Sequence, residues 1–88
     1  MNSNELYWLA GILEGEGYFG HTNTTTPLIQ VQMTDLDVVE KIRAVAGVGS
    51  VSSRGPQGFG KKDVHRWAVN GNNALSIMRA VLPLMGAR

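Results

Sequence analysis

One carboxylate in this chain of 88 residues is held where it could do chemistry. Glu16 stands between Gly15 and Gly17, and flanking glycines free a backbone to leave a helix and turn. Upstream, the ten residues from Glu5 to Glu14 hold seven apolar side chains and no proline, which predicts a helix over about 4–15. Glu16 therefore projects from a turn at the foot of an apolar helix, and Tyr18 and Phe19 open a strand beyond it. A carboxylate so placed is either a solvated turn residue or a ligand for a divalent metal ion, which takes hard oxygen donors.

A second set of residues has the types that read a duplex. The strand predicted over 28–34 alternates, with Ile29, Val31 and Met33 inward and Leu28, Gln30, Gln32 and Thr34 outward. The same alternation puts Ser50, Ser52 and Arg54 of a strand over 49–54, and Arg66 and Ala68 of a strand over 63–70, on the outward side. Tyr18, Gly20 and Thr22 join them from a strand over 17–23. Glutamine pairs with adenine and arginine with guanine through two hydrogen bonds in a major groove, each worth roughly 1–3 kcal/mol of discrimination. Lys61 and Lys62, in the loop 55–62, suit phosphates, which position a protein without sequence information. A solvated surface accounts for the same residues without any partner.

Three helices and four strands must hold these groups. The first helix is apolar on nearly every side, so it needs burial on two sides, more than one face of a small sheet provides. Gly11 and Gly15, four residues apart, let another backbone approach, and a second copy of the chain is the expected neighbour. A second helix starts at Thr34-Asp35-Leu36-Asp37 with Thr34 as N-cap, buries Val38, Val39, Ile42, Val45 and Ala46, and ends at Gly47. His65, Trp67 and Val69 face the core. Asn70 to Asn73 turn into a last helix over about 73–82 whose Leu75, Ile77, Met78, Val81 and Leu82 pack inward, and Pro83 stops it.

Residues 9–17, Leu-Ala-Gly-Ile-Leu-Glu-Gly-Glu-Gly, resemble the LAGLIDADG motif of homing endonucleases. Glu14 and Glu16 occupy the two aspartate places, and Gly15 replaces an alanine, a common variant there. The element order helix, strand, strand, helix, strand, strand, helix matches the family's α+β domain, an αββαββα unit whose four-stranded antiparallel sheet carries its helices on one face. The resemblance thus covers residues 1–88 as a single domain, including Gly47-Val48-Gly49 and Leu82-Pro83-Leu84. The short loops and the lack of a long extension after Leu84 depart from the family and imply a smaller DNA footprint.

The resemblance implies a homodimer that cuts a near-palindromic double-stranded DNA site with magnesium or manganese. The two motif helices pair through Leu9, Gly11, Ile12, Glu14 and Gly15. Two Glu16 carboxylates and the Gly15 carbonyls then hold the metal beside the scissile phosphates. Glu14 reads as a helix-end or interface acid. Family members also use polar or basic side chains near the metal, a role that Gln32 or the Met33 place, and Arg88, match by position. Loss of cleavage, leaving a DNA-binding regulator, and an RNA-binding intron maturase are the alternatives on the same fold.

Composition agrees with a nucleic-acid partner. Net charge is +1, but residues 1–40 carry six acids and no Lys or Arg, whereas residues 41–88 carry all eight basic residues against Asp63 alone. Such a split suits a basic surface on phosphates with acids kept for another task. The chain has no cysteine, excluding disulfides and thiolate metal sites, and no apolar run near the roughly 20 residues of a membrane span. An intracellular location, cytoplasmic or organellar for an intron-encoded chain, is expected. Two glycine motifs mislead. Gly55 to Lys62 nearly spells a P-loop, but Lys62 replaces the metal-binding hydroxyl, and Gly15-x-Gly17-x-x-Gly20 runs helix to strand with an acid inside. No nucleotide cofactor is expected.

Overall fold

The computed structural model describes residues 1–22, 25–55 and 63–85. Its elements are α1 (Ser3–Glu16), β1 (Gly17–His21), β2 (Pro27–Met33), α2 (Leu36–Ala46), β3 (Ser50–Arg54), β4 (Val64–Asn70) and α3 (Gly71–Val81), followed by a 3-10 turn, Leu82–Leu84. The four strands form one antiparallel sheet in the order β1-β2-β4-β3. The fold is the α+β, αββαββα arrangement that the pattern predicts. The central strands bury Ile29 and Val31 of β2 and Trp67 and Val69 of β4. Leu9, Ala10 and Leu13 of α1, Val39 and Ile42 of α2, and Ala74, Ile77 and Val81 of α3 close over them. Among the described residues a single apolar layer between sheet and helices forms the core, and none of them covers the opposite face of the sheet.

Two side chains pin the second half. Trp67, fully buried, donates its indole N–H to the Val48 carbonyl at 3.0 Å. Buried His65 meets the Ser53 hydroxyl through Nδ1 at 2.7 Å, so this core imidazole is satisfied across the β3–β4 pair. Gly49, at φ +94°, lies under the Trp67 ring, where a Cβ would stand 2.5 Å from Nε1. That glycine is required twice, by the backbone and by the indole.

Three local expectations change. Asp35 rather than Thr34 caps α2, because its carboxylate accepts from the Val38 N–H at 3.3 Å, the third residue onward. The last helix begins two residues earlier than expected, at Gly71, and Ala74 is buried in its first turns. Leu82 is 56% exposed instead of packed inward, because the α-helix stops at Val81 and Pro83 tightens the chain into a 3-10 turn.

Candidate active site and nucleic-acid interface

The helix that carries Glu16 is well begun. Asn2 caps α1 by accepting from the Glu5 N–H at 2.8 Å, while the Asn2 N–H donates to the Glu5 carboxylate at 3.0 Å. The other end is unusual. Gly17 donates its N–H to the Leu13 carbonyl like a helical residue, yet its φ of −82° and ψ of 150° are those of a strand. Helix becomes strand with no linker. A Cβ on Gly17 would stand 2.6 Å from the Leu13 oxygen, so glycine is what permits the change of direction.

This junction refines where Glu16 sits. It is the last residue of α1, not part of a turn, and it is exposed, its carboxylate making no hydrogen bond or ion pair with any described residue. No basic residue lies in the last turn of the helix. A free carboxylate at a helix C-terminus faces the negative end of the helix dipole, an arrangement that favours a cation as neighbour. The Gly15 carbonyl is among the last of the helix and has no intrahelical donor. Both are hard oxygen donors of the kind magnesium takes. Among the described residues no three His, Cys, Asp or Glu side chains gather.

One face of α1 is bare. Asn4, Tyr7, Gly11 and Gly15 follow each other at helical spacing and are all exposed, with Tyr7 62% accessible. A Cβ on Gly11 or Gly15 would meet nothing within 4 Å. Of the residues expected at an interface between copies, Gly11 and Gly15 are open, and Ile12 and Glu14 are half-buried beside them. Leu9 is corrected: it is fully buried in its own core, because positions 9 and 13 share the stripe facing the sheet. Tyr7 belongs to the bare face, a role its spacing of four from Gly11 signalled but its apolar ring disguised.

The uncovered face of the sheet gathers the outward residues in cross-strand rows. Tyr18, Gln30, Ala68 and Ser50 form one row, Gln32, Arg66 and Ser52 the next, and Arg54 stands opposite Val64. Arg66 reaches diagonally, its Nη1 donating to Gln30 Oε1 at 3.5 Å. A hollow of about 370 Å³ lies among Gln30, Ser50, Arg66, Asn70 and Asn73, and a second of about 180 Å³ among Gln32, Ser52, Arg54 and Arg66. Arg66 is shared by both. Asn73, from the start of α3, was hidden to strand alternation because it enters the face from a helix. Thr22 stands beyond the end of β1, where it closes the hairpin: its N–H donates to the Thr26 carbonyl at 2.8 Å and its hydroxyl accepts from the Thr26 N–H at 3.3 Å. Lys61, Lys62 and Arg88 lie outside the described residues.

Against solved structures, the chain superposes on an archaeal intron-encoded homing endonuclease, I-Vdi141I, complexed with DNA. The TM-score is 0.65 at 18% identity over 91% of this chain and 54% of that one. It also superposes on the group I intron-encoded homing endonuclease I-CeuI complexed with DNA, with a TM-score of 0.69 at 17% identity over 98% of this chain and 46% of that one. The chain has the homing-endonuclease fold. No family model and no curated protein matches the sequence, so the likeness is one of architecture. Homing-endonuclease architecture agrees with the motif read in residues 9–17, and the chain spans about half the length of the solved structures it matches. No helix among the described residues is long and apolar enough to cross a membrane.

Proposed function

We propose that this chain acts as a homodimeric, divalent-metal-dependent endonuclease that cuts a specific, near-palindromic site in double-stranded DNA. The observation that carries the reading is the Gly17 junction. It sets the exposed Glu16 two residues from Tyr18, which begins the outward polar face of the sheet. A duplex lying on that face would pass the carboxylate. The DNA in both structural relatives supports a duplex as the partner, and their intron-encoded origin supports a mobile-intron setting inside the cell.

The bare face of α1 supports the dimer. Tyr7, Gly11 and Gly15 leave room for a second α1, and a twofold axis there brings two Glu16 carboxylates and two Gly15 carbonyls together. Each chain then binds one half of the site and brings Glu16 to one strand. Glu16 and the Gly15 carbonyl of each chain would hold magnesium or manganese, which would supply an activated water and charge neutralisation at the leaving oxygen. Gln30, Gln32, Ser52, Arg54 and Arg66 read base edges, and Lys61, Lys62 and Arg88 serve phosphates or the waters of the site.

The test is incubation of the purified chain with a randomised duplex library and Mg²⁺, followed by sequencing of cut ends. Cuts clustered on one near-palindromic sequence are expected. Duplexes that are bound but never cut would make the chain a non-cleaving regulator. Retention of a structured intron RNA instead of duplex would make it a maturase.

A further inference from the structure

Gly20 is a glycine that its own backbone does not need. It sits inside β1 in an extended conformation that any residue adopts, and a strand glycine weakens its strand relative to a residue with a side chain. Its neighbour explains it. A Cβ built on Gly20 would stand 2.6 Å from the Tyr18 hydroxyl oxygen and 2.7 Å from Cε2 and Cζ of the same ring. The phenol ring therefore lies along the outer face of β1, across the Gly20 Cα, leaning away from Glu16. Tyr18 is 54% exposed, and its hydroxyl bonds to no described residue. The ring heads the row that continues through Gln30 into the larger hollow.

We propose that Gly20 is a positioning residue for DNA recognition, seating Tyr18 flat on the sheet so that a duplex can settle over it. This rests on the DNA reading above. A flat ring gives an apolar floor against which a thymine methyl or a sugar packs, with a hydroxyl fixed at its far end for one groove contact. An upright ring at the same place would stand several ångströms proud of the sheet. It would hold base edges away from Gln30 and Arg66, and hold the DNA backbone away from Glu16. Gly20 thus links depth of docking to the reach of the carboxylate without touching DNA itself.

The test compares Gly20→Ala, Tyr18→Ala and the double variant against the selected duplex, with thermal midpoints measured alongside. Gly20→Ala is expected to bind about tenfold or more weakly with no fall in midpoint, since alanine suits a strand better than glycine. Removing the ring as well should restore most of that loss, and Tyr18→Ala alone should relax preference at one base pair per half-site. Wild-type affinity and base preference in Gly20→Ala overturn the proposal. So does a loss that persists in the double variant, which would make the new methyl itself the obstacle. In DNA-free protein, the Gly20 α-protons should show an upfield ring-current shift that vanishes in Tyr18→Ala. A wild type that binds duplex without that shift overturns this inference alone. A wild type that shows the shift and binds no duplex overturns the DNA reading, and the use of Gly20 with it.

Discussion

The chain makes a helix followed by an antiparallel hairpin twice, and the two copies are finished differently. In the second, α2 obeys every local rule. Asp35 caps its start, Asp37 lies in the first turn, Arg43 in the last, and Gly47 closes it in the left-handed conformation at φ 75°. Acids sit at the positive end of the dipole and a base at the negative end. In the first, α1 starts with a full capping box but ends with Glu14 and Glu16, no base and no loop. It also exposes Tyr7, Gly11 and Gly15 where α2 exposes charge. A helix that only supports the sheet can satisfy its own termini. One that departs from those rules at a single end marks where something else must complete it.

Removing one carboxylate from each copy is the strongest way to break this comparison. Glu16→Gln should abolish metal-dependent cleavage, as should chelation of the metal, while duplex binding without metal persists. Asp37→Asn should leave cleavage intact and only loosen α2. Equal cleavage by Glu16→Gln and the wild type would end the ligand role of Glu16.

Next in size is Gly11→Leu. Nothing within 4 Å of the added Cβ opposes it in a single chain, and leucine is about 1 kcal/mol better than glycine in a helix. The variant should fold at least as stably as the wild type, yet sediment as a monomer and fail to cut. A dimer that survives Gly11→Leu places the interface elsewhere.

The two helix ends then answer each other. Gly17→Ala drives a methyl into the Leu13 carbonyl, so chemical denaturation should show a loss of about 2 kcal/mol or more. Gly47→Ala meets open space and faces only the left-handed backbone, a cost of about 1–2 kcal/mol. The smallest effect is expected from Arg66→Ala, which should lower affinity in a base-dependent manner at one position of each half-site. A uniform loss that instead reduces the salt slope by about 1 would make Arg66 a phosphate contact.

Much of this was legible in the residues. The 2-residue period of Ile29, Val31 and Met33 and of His65, Trp67 and Val69 gave both central strands and their inward faces. The apolar stripe of α2 gave that helix. Boundaries were less legible where two residues compete for one role. Thr34 and Asp35 both cap well, and only the turn geometry selects the aspartate. Leu82 reads as core by period, but the preceding helix stops one residue sooner. Leu9 reads as interface from the motif and is taken by the core, because an apolar-all-round helix does not declare which stripe faces its own sheet. At the site, Glu16 and the two helix glycines stand out by chemistry and spacing. The seat under Tyr18 does not, because a gap left for a neighbouring ring looks like any other strand glycine.

The linkerless step at Gly17 has a consequence for redesign. Altering what a sheet recognises is simplest when its side chains can be exchanged without disturbing the rest of the protein. Positions on β2, β3 and β4 meet that condition, since loops separate them from α1. β1 does not: α1 ends at Glu16 and β1 begins at Gly17, so a change in the backbone direction of β1 acts directly on the last turn of α1. Under the proposed DNA reading, β2 to β4 are the strands whose outward side chains can be exchanged singly, and residues 15–20 are to be replaced together or left alone.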